Sequence, residues 1–314
     1  MIVSGYRGKV FALSKQNPPI LSPLRYPGSK RRLAKYIKQA LKLNSLKPFL
    51  YVEPFVGGGN VALQLLQDSL VNQAILMDLD PWVASFWETV FFDTDWLVNK
   101  IRTTYVTLKI WNKIKDSNPE TVREQAWACF FLNRTSFSGI LEEKAGPLGG
   151  REQTSDYKID CRFPRKTLIG RVRQIAKLRN KICGVWCTSW EDGIARVRKE
   201  QEVGSLPANN LFFYFDPPFF EKAEALYRFY FRQEDHKKLR DALINLSDKW
   251  ILSYDSADQV EALYGPAIQS KTNGTKKHDV ELLYSLSVMQ ERKKGKEVIL
   301  SNLEHLPSFE EATK

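Results

Sequence analysis

Residues 214–220 read YFDPPFF, a carboxylate followed by two prolines and two aromatic rings. Successive prolines fix φ and remove two backbone donors, so their carbonyls remain as stiffly held acceptors. A carboxylate beside a rigid carbonyl can take both N–H bonds of one amino group. The ring of Phe219 then offers a flat face on which a planar base can stack. Asp216, Pro217, Pro218 and Phe219 therefore have the makings of a clamp on an exocyclic amine. An Asp-Pro turn closing a strand would account for the first two residues, but not for the second proline and the ring.

A second constellation lies near the N-terminus. The run PFLYVEPF is broken by VGGGN, with glycines at 57–59. A strand that ends in so small a turn before a helix lets backbone N–H groups approach a ligand closely. Asp78 closes the next apolar run, AILMDLD, twenty residues after Gly58. An acid there can hold both hydroxyls of a ribose, with Asp80 a weaker rival on the same strand face. Together they point to a nucleoside-containing cofactor. PGSK lacks the GxxxxGK[ST] spacing of a polyphosphate cradle.

These groups need elements to carry them. Leu33, Ile37, Ala40 and Leu41 have helical spacing, and Asn60 stands where a helix over VALQLLQDSL would be capped. Strand, glycine turn, helix and strand within about thirty residues make a βαβ unit and a parallel sheet. LFFYF is an all-apolar run, as expected of a strand covered on both faces. Leu239, Ala242, Leu243 and Leu246 mark a further amphipathic helix, WILSYDS another strand, and VELLYSLSV with EVILSNL a terminal antiparallel hairpin whose tip, ERKKGK, is basic. The predicted class is α/β: a Rossmann-like, mostly parallel sheet with that hairpin, plus a mainly helical insertion. The boundaries read as an extension over 1–20, one sheet domain from 21–84 and 185–314, and an insertion over 85–184.

The 314 residues include 47 Lys plus Arg against 36 Asp plus Glu, a net charge of +11. Such an excess favours a polyanionic partner through counterion release. Its densest part is RFPRKTLIGRVRQIAKLRNK, eight positive charges in residues 162–181 with no acid. There Leu168, Val172, Ile175 and Ala176 share one helical face, while Lys166, Arg173, Lys177 and Lys181 lie on another, suited to phosphate contact. No run approaches the ~20 apolar residues that span a bilayer, so no membrane association is expected. Cys129, Cys161, Cys183 and Cys187 form no paired framework, and the three histidines are scattered, so neither disulfides nor a metal is expected. A reducing, cytoplasmic setting follows.

PLRYPGSKRRLAKYI, YVEPFVGGGNVAL, ILMDLD, FFLNRTSFSGI and YFDPPFF, in that order, resemble the Dam-like DNA adenine-N6 methyltransferases of the alpha class. The similarity continues through EDHKKLRDAL, WILSYDS and EVILSNL, covering roughly residues 21–303. It implies S-adenosyl-L-methionine as methyl donor, S-adenosyl-L-homocysteine as product and double-stranded DNA as partner, with no obligate protein partner. Carried over by motif, Tyr26, Lys30, Asp78 and Asp216 would contact the donor, and Glu53, Phe55 and Gly57 would line its methionine end. Trp190 and Asp192 of SWEDGI match a segment that reaches its adenine. Family members often carry Trp in place of Tyr26 and Tyr in place of Phe219; both exchanges keep a ring. The basic insertion is least alike.

The resemblance further implies that the target adenine is swung out of the duplex, stacked on Phe219, held by Asp216 and the carbonyl of Pro217, and methylated by direct in-line transfer. Lys166, Arg173 and Lys177, with the ERKKGK loop, are candidates for phosphate contact, and Arg134 and Ser136 for work near the DNA. Cytosine-N4 methylation uses a similar clamp, so the choice of base rests on the resemblance. A DNA-binding relative without catalysis and, more remotely, a nicotinamide-dependent oxidoreductase are the other readings; VGGGNVAL lacks the third glycine that the latter wants.

Overall fold

The computed structural model describes residues 18–26, 30, 33–221, 223–255, 258–283 and 294–308, with 280–283 and 294–296 described by backbone alone. Its strands are β1 (Leu50–Glu53), β2 (Gln73–Asp78), β3 (Ile182–Cys187), β4 (Leu211–Phe215), β5 (Lys249–Asp255), β6 (Lys276–Leu283) and β7 (Lys294–Ser301). They form one sheet in the order β3-β2-β1-β4-β5-β7-β6. Pairing is parallel from β3 through β5 and antiparallel where β7 meets β5 and β6. The expected terminal antiparallel pair is present; of its basic tip, ERKKGK, residues 291–293 lie outside the described residues and 294–296 belong to β7.

Both faces of the central strands are covered, and their period of two divides the core. From β4, Phe212 and Tyr214 enter one apolar cluster, while Leu211, Phe213 and Phe215 enter the other. Tyr51 of β1 and Leu76 of β2 join the first; Val52 and Met77 join the second. That is why LFFYF has no polar position: a residue on either face of this strand is inside.

One face carries α1 (Leu33–Leu43), α2 (Asn60–Gln67), α3 (Pro81–Phe92), α4 (Thr94–Thr103), α6 (Val122–Thr135) and α7 (Arg165–Ala176), with α5 (Leu108–Lys115) against α6. The other carries α8 (Trp190–Glu202), α10 (Gln233–Ile244) and α11 (Asp258–Gln269); the short α9 (Ala223–Leu226) follows β4. The helical stretch after β2 thus shares a core with the sheet. Phe86 of α3 stacks on Phe130 of α6 at 5.9 Å, 4° from parallel. Boundaries drawn at 84/85 and 184/185 fall inside α3 and inside β3. Residues of the supposed extension also pack: the amide of Ile20 donates to Gln67 Oε1 at 2.7 Å, and Gln67 Nε2 donates to the carbonyl of Pro18.

Asn60 is not the cap of α2. Gly59 takes that position in the left-handed region, at φ 63°, while Asn60 Oδ1 accepts the amide of Ser22. In α7, Leu168, Val172 and Ile175 are buried and Ala176 is half-buried, as the periodicity requires. Among the described residues, no helix is long and apolar enough to cross a membrane.

Candidate functional site

β1 leads to β2 on one side of the sheet and β4 leads to β5 on the other, so the strand order reverses between β1 and β4. Parallel α/β sheets open a crevice at the carboxyl ends of such a pair. A cavity lies there, walled by the glycine turn, Tyr26, Lys30, Glu53, Phe55, Asp78, Trp190, Asp216 and Pro218, and closed by residues 227–231.

The turn after β1 is built from backbone bonds that leave no room for side chains. The amide of Gly57 donates to Asp78 Oδ2 at 2.9 Å, and the amide of Asp80 donates to Oδ1 at the same distance. Trp87 of α3 donates its indole N–H to the carbonyl of Gly57. A Cβ on Gly57 would meet the ring of Tyr26 at 2.7 Å, and one on Gly59 the ring of Trp87 at 2.5 Å. Both glycines have positive φ. Burial pushes the Asp78 carboxyl up to about 7, with the charge of Asp80 adding to it and the two amides opposing it. Asp80, the weaker candidate for the ribose, also lines the cavity; through Oδ1 it caps α3 at the amide of Trp82 and pairs with Arg228 at 2.7 Å.

Asp216 follows β4 directly. Ser253 of β5 donates to its Oδ1 at 2.8 Å, and Tyr214 is 2.8 Å from the Ser253 oxygen. Lys30 Nζ lies 3.4 Å from the same Oδ1 and 3.1 Å from Glu297 of β7. Among the described residues, then, the hydrogen bond and ion pair of this carboxylate fall on Oδ1 rather than Oδ2. Burial raises Asp216 to about 6; Lys30 lowers it and Glu297 raises it. Phe219 is half-exposed, with Lys30 Nζ 5.1 Å from its ring centre and the Tyr227 ring edge-on at 5.9 Å.

Glu53 ends β1 almost fully buried, with Oε2 lacking a hydrogen-bond partner, and burial pushes its carboxyl well up. An unpaired buried acceptor is expensive unless a ligand donates to it. Glu53, Asp78 and Asp216 thus surround one cavity with acceptors. That set fits S-adenosyl-L-methionine, which carries a sulfonium, an ammonium and two ribose hydroxyls; Phe55 and Trp190 supply apolar walls for its flat parts.

Not every residue singled out from the sequence reaches the cavity. The side chains of Pro217, buried, and Phe219, half-exposed, are not among those that wall the cavity, and Asp192 is exposed, its Oδ2 accepting from Ser189 in the first turn of α8. Arg134 and Ser136 lie in the interior, not on an open face. Arg134 reaches the carbonyl of Pro23, and burial together with Arg25, Arg171 and Arg162 lowers it to about 9; Ser136 Oγ accepts the indole N–H of Trp111. Lys166 and Arg173 are exposed on α7 and Lys177 is exposed at its C-cap, whereas Lys181 donates to the carbonyl of Leu66. The segment Tyr227 to Phe231, which closes the cavity, was not singled out. Its signal is the aromatic density of LYRFYF a few residues after YFDPPFF. Arg228 there stacks on Trp82 at 3.7 Å while holding Asp80.

A mostly parallel sheet with an antiparallel terminal pair, and a crevice at its point of reversal, make a Rossmann-like arrangement consistent with a methyltransferase. Residues 26–146 match the family model described as D12 class N6 adenine-specific DNA methyltransferase, which bears out the resemblance over the glycine turn, Asp78 and the NRTSFSG segment. The match is a similarity over those residues; Asp216 and its neighbours follow the matched stretch. No curated protein matches the chain.

Proposed function

We propose that the chain methylates the exocyclic N6 of adenine in double-stranded DNA, using S-adenosyl-L-methionine. The observation that carries this reading is Asp216, held through Oδ1 by Ser253 and Lys30, on a cavity that also holds the glycine turn, Glu53 and Asp78. When bound, the donor supplies an electrophilic methyl group and leaves as S-adenosyl-L-homocysteine. Asp78 would hold the ribose hydroxyls through lone pairs beyond those its two backbone amides use. Glu53 would accept from the ammonium end, with Phe55 and Gly57 beside it. Tyr26, Lys30 and Trp190 complete the walls.

Adenine inside a duplex cannot reach such a cavity, so the base would be extruded, at a few kcal/mol of unstacking and unpairing. Phe219 would stack on it, and Asp216 Oδ2 and the carbonyl of Pro217 would accept its two amine N–H bonds. Those bonds turn the nitrogen lone pair out of the ring system and aim it for in-line transfer. Alignment of the two reactants supplies much of the acceleration. Asp216 is then placed to take the proton that the amine releases. Lys166, Arg173 and Lys177 would contact phosphates along the exposed side of α7.

The test is an assay with methyl-labelled donor and adenine-containing duplexes, the product read by mass spectrometry of the nucleosides. N6-methyladenine is expected, and Asp216→Ala should abolish it in a protein that still folds. N4-methylcytosine, or full activity in Asp216→Ala, would overturn the reading.

A further inference from the structure

We propose that Glu297, far along the chain on β7, is a positioning residue that holds Lys30 back from Asp216 so that the clamp keeps a free acceptor. The inference rests on the function proposed above. Lys30 and Glu297 are both buried, with side chains 3% and 4% exposed, and Glu297 is the nearer partner of the ammonium, at 3.1 Å against 3.4 Å for Asp216. Lysine is a compact charge on a flexible four-carbon stem. Facing a single buried carboxylate, it would close on it and compete with an incoming amine for the lone pairs. A second carboxylate within 3.1 Å divides the ammonium between two anions. The face of Phe219 at 5.1 Å limits where else it can move.

The arrangement puts two carboxylates around one ammonium, and its charge balance bears on Asp216. Lys30 lowers the proton affinity of Asp216 and Glu297 raises it, which burial reinforces. Glu53 of β1, and Tyr214 and Tyr227, also share its field, while Asp255 at the end of β5 lies within that of Lys30 and Glu297. Neutralising Glu297 removes a negative charge near Asp216 and releases Lys30 toward it. Both changes lower the Asp216 pKa.

The experiment is Glu297→Gln in the full chain. The expected result is a kcat lower by roughly 10- to 100-fold with little change in KM for the donor. The acidic limb of the pH–rate profile should move down by about one unit. A carboxyl-carbon NMR titration of Asp216 without substrates should show the same downward shift, and so reads the inference even if the methylation reading fails. An unchanged titration overturns the inference. Should Glu297→Gln fold poorly, Lys30→Met and the Lys30→Met/Glu297→Gln double variant replace it. Equal kcat in those two proteins supports action through Lys30, and a further loss in the double variant overturns it.

Discussion

Trp87 donates its indole N–H to the carbonyl of Gly57 at 2.9 Å, and the same ring fills the space where a Cβ of Gly59 would stand. A residue of α3, in the helical stretch after β2, thus shapes the turn that receives the ligand. The ring and the missing side chains fit one another, which ties the helical stretch to the sheet.

Gly59→Ala should therefore damage both stability and binding. The left-handed backbone at φ 63° costs about 1–3 kcal/mol for a residue with a Cβ. The 2.5 Å approach to Trp87 adds a displacement of the ring. Chemical denaturation should show the loss, and calorimetry with S-adenosyl-L-methionine should show affinity lower by at least about tenfold, equivalent to about 1.4 kcal/mol. Unchanged affinity in a folded variant would count against the turn as the ligand's seat.

The acidic cavity gives stability a definite pH dependence. Asp78 at about 7 and Asp216 at about 6 hold protons in the folded chain that the unfolded chain releases near 3.8. The folded state therefore binds more protons from about pH 4 upward, and this contribution to stability falls as pH rises through 7. His236 opposes it below 6.5, because burial lowers it to about 4. The sign is isolated by comparison: Asp78→Asn should show a shallower decline in denaturation midpoint between pH 5 and 8 than the unaltered chain. Parallel curves would refute the assignment.

Phe219→Ala should raise KM for DNA, while Phe219→Trp should largely restore it. Base–aromatic stacking contributes about 1–3 kcal/mol, so the rise is roughly 5- to 150-fold. Steady-state kinetics on one duplex decide it. A KM that does not respond to ring size would remove Phe219 from the base's path.

Neutralising Lys166, Arg173 and Lys177 should weaken binding to all duplexes alike and flatten its salt dependence by about 0.9 per lost phosphate contact. Binding isotherms across a salt series measure the slope. Since Lys181 is occupied with the carbonyl of Leu66 and Ser69, Lys181→Gln should leave that slope as it was.

Phe130→Ala should destabilise the whole molecule by about 3–5 kcal/mol, because its ring packs on Phe86, Trp127 and Phe163 within the core that also holds Tyr51 and Phe212. Unfolding followed at helix and sheet probes should stay a single transition. Two separated transitions would mean that the helical stretch folds independently of the sheet.

Local chemistry was legible in the chain itself. Apolar runs closed by acids named the strand ends of β1, β2 and β4, since burial on two faces leaves no polar position until the carboxyl end. Consecutive glycines and prolines marked where the backbone must turn tightly or stay stiff. Proximity across the chain was not legible. That Ser253 and Lys30 meet Asp216 while Glu297 meets Lys30, that Trp87 fills the space beside Gly59, and that Arg134 is interior all depend on which elements pack together. Asp80 shows the difference: spacing made it a weaker rival of Asp78, and only the packing reveals that it caps α3 and pairs with Arg228. A residue's type limits the chemistry it can do; whether water, a ligand or another side chain meets it is decided by packing.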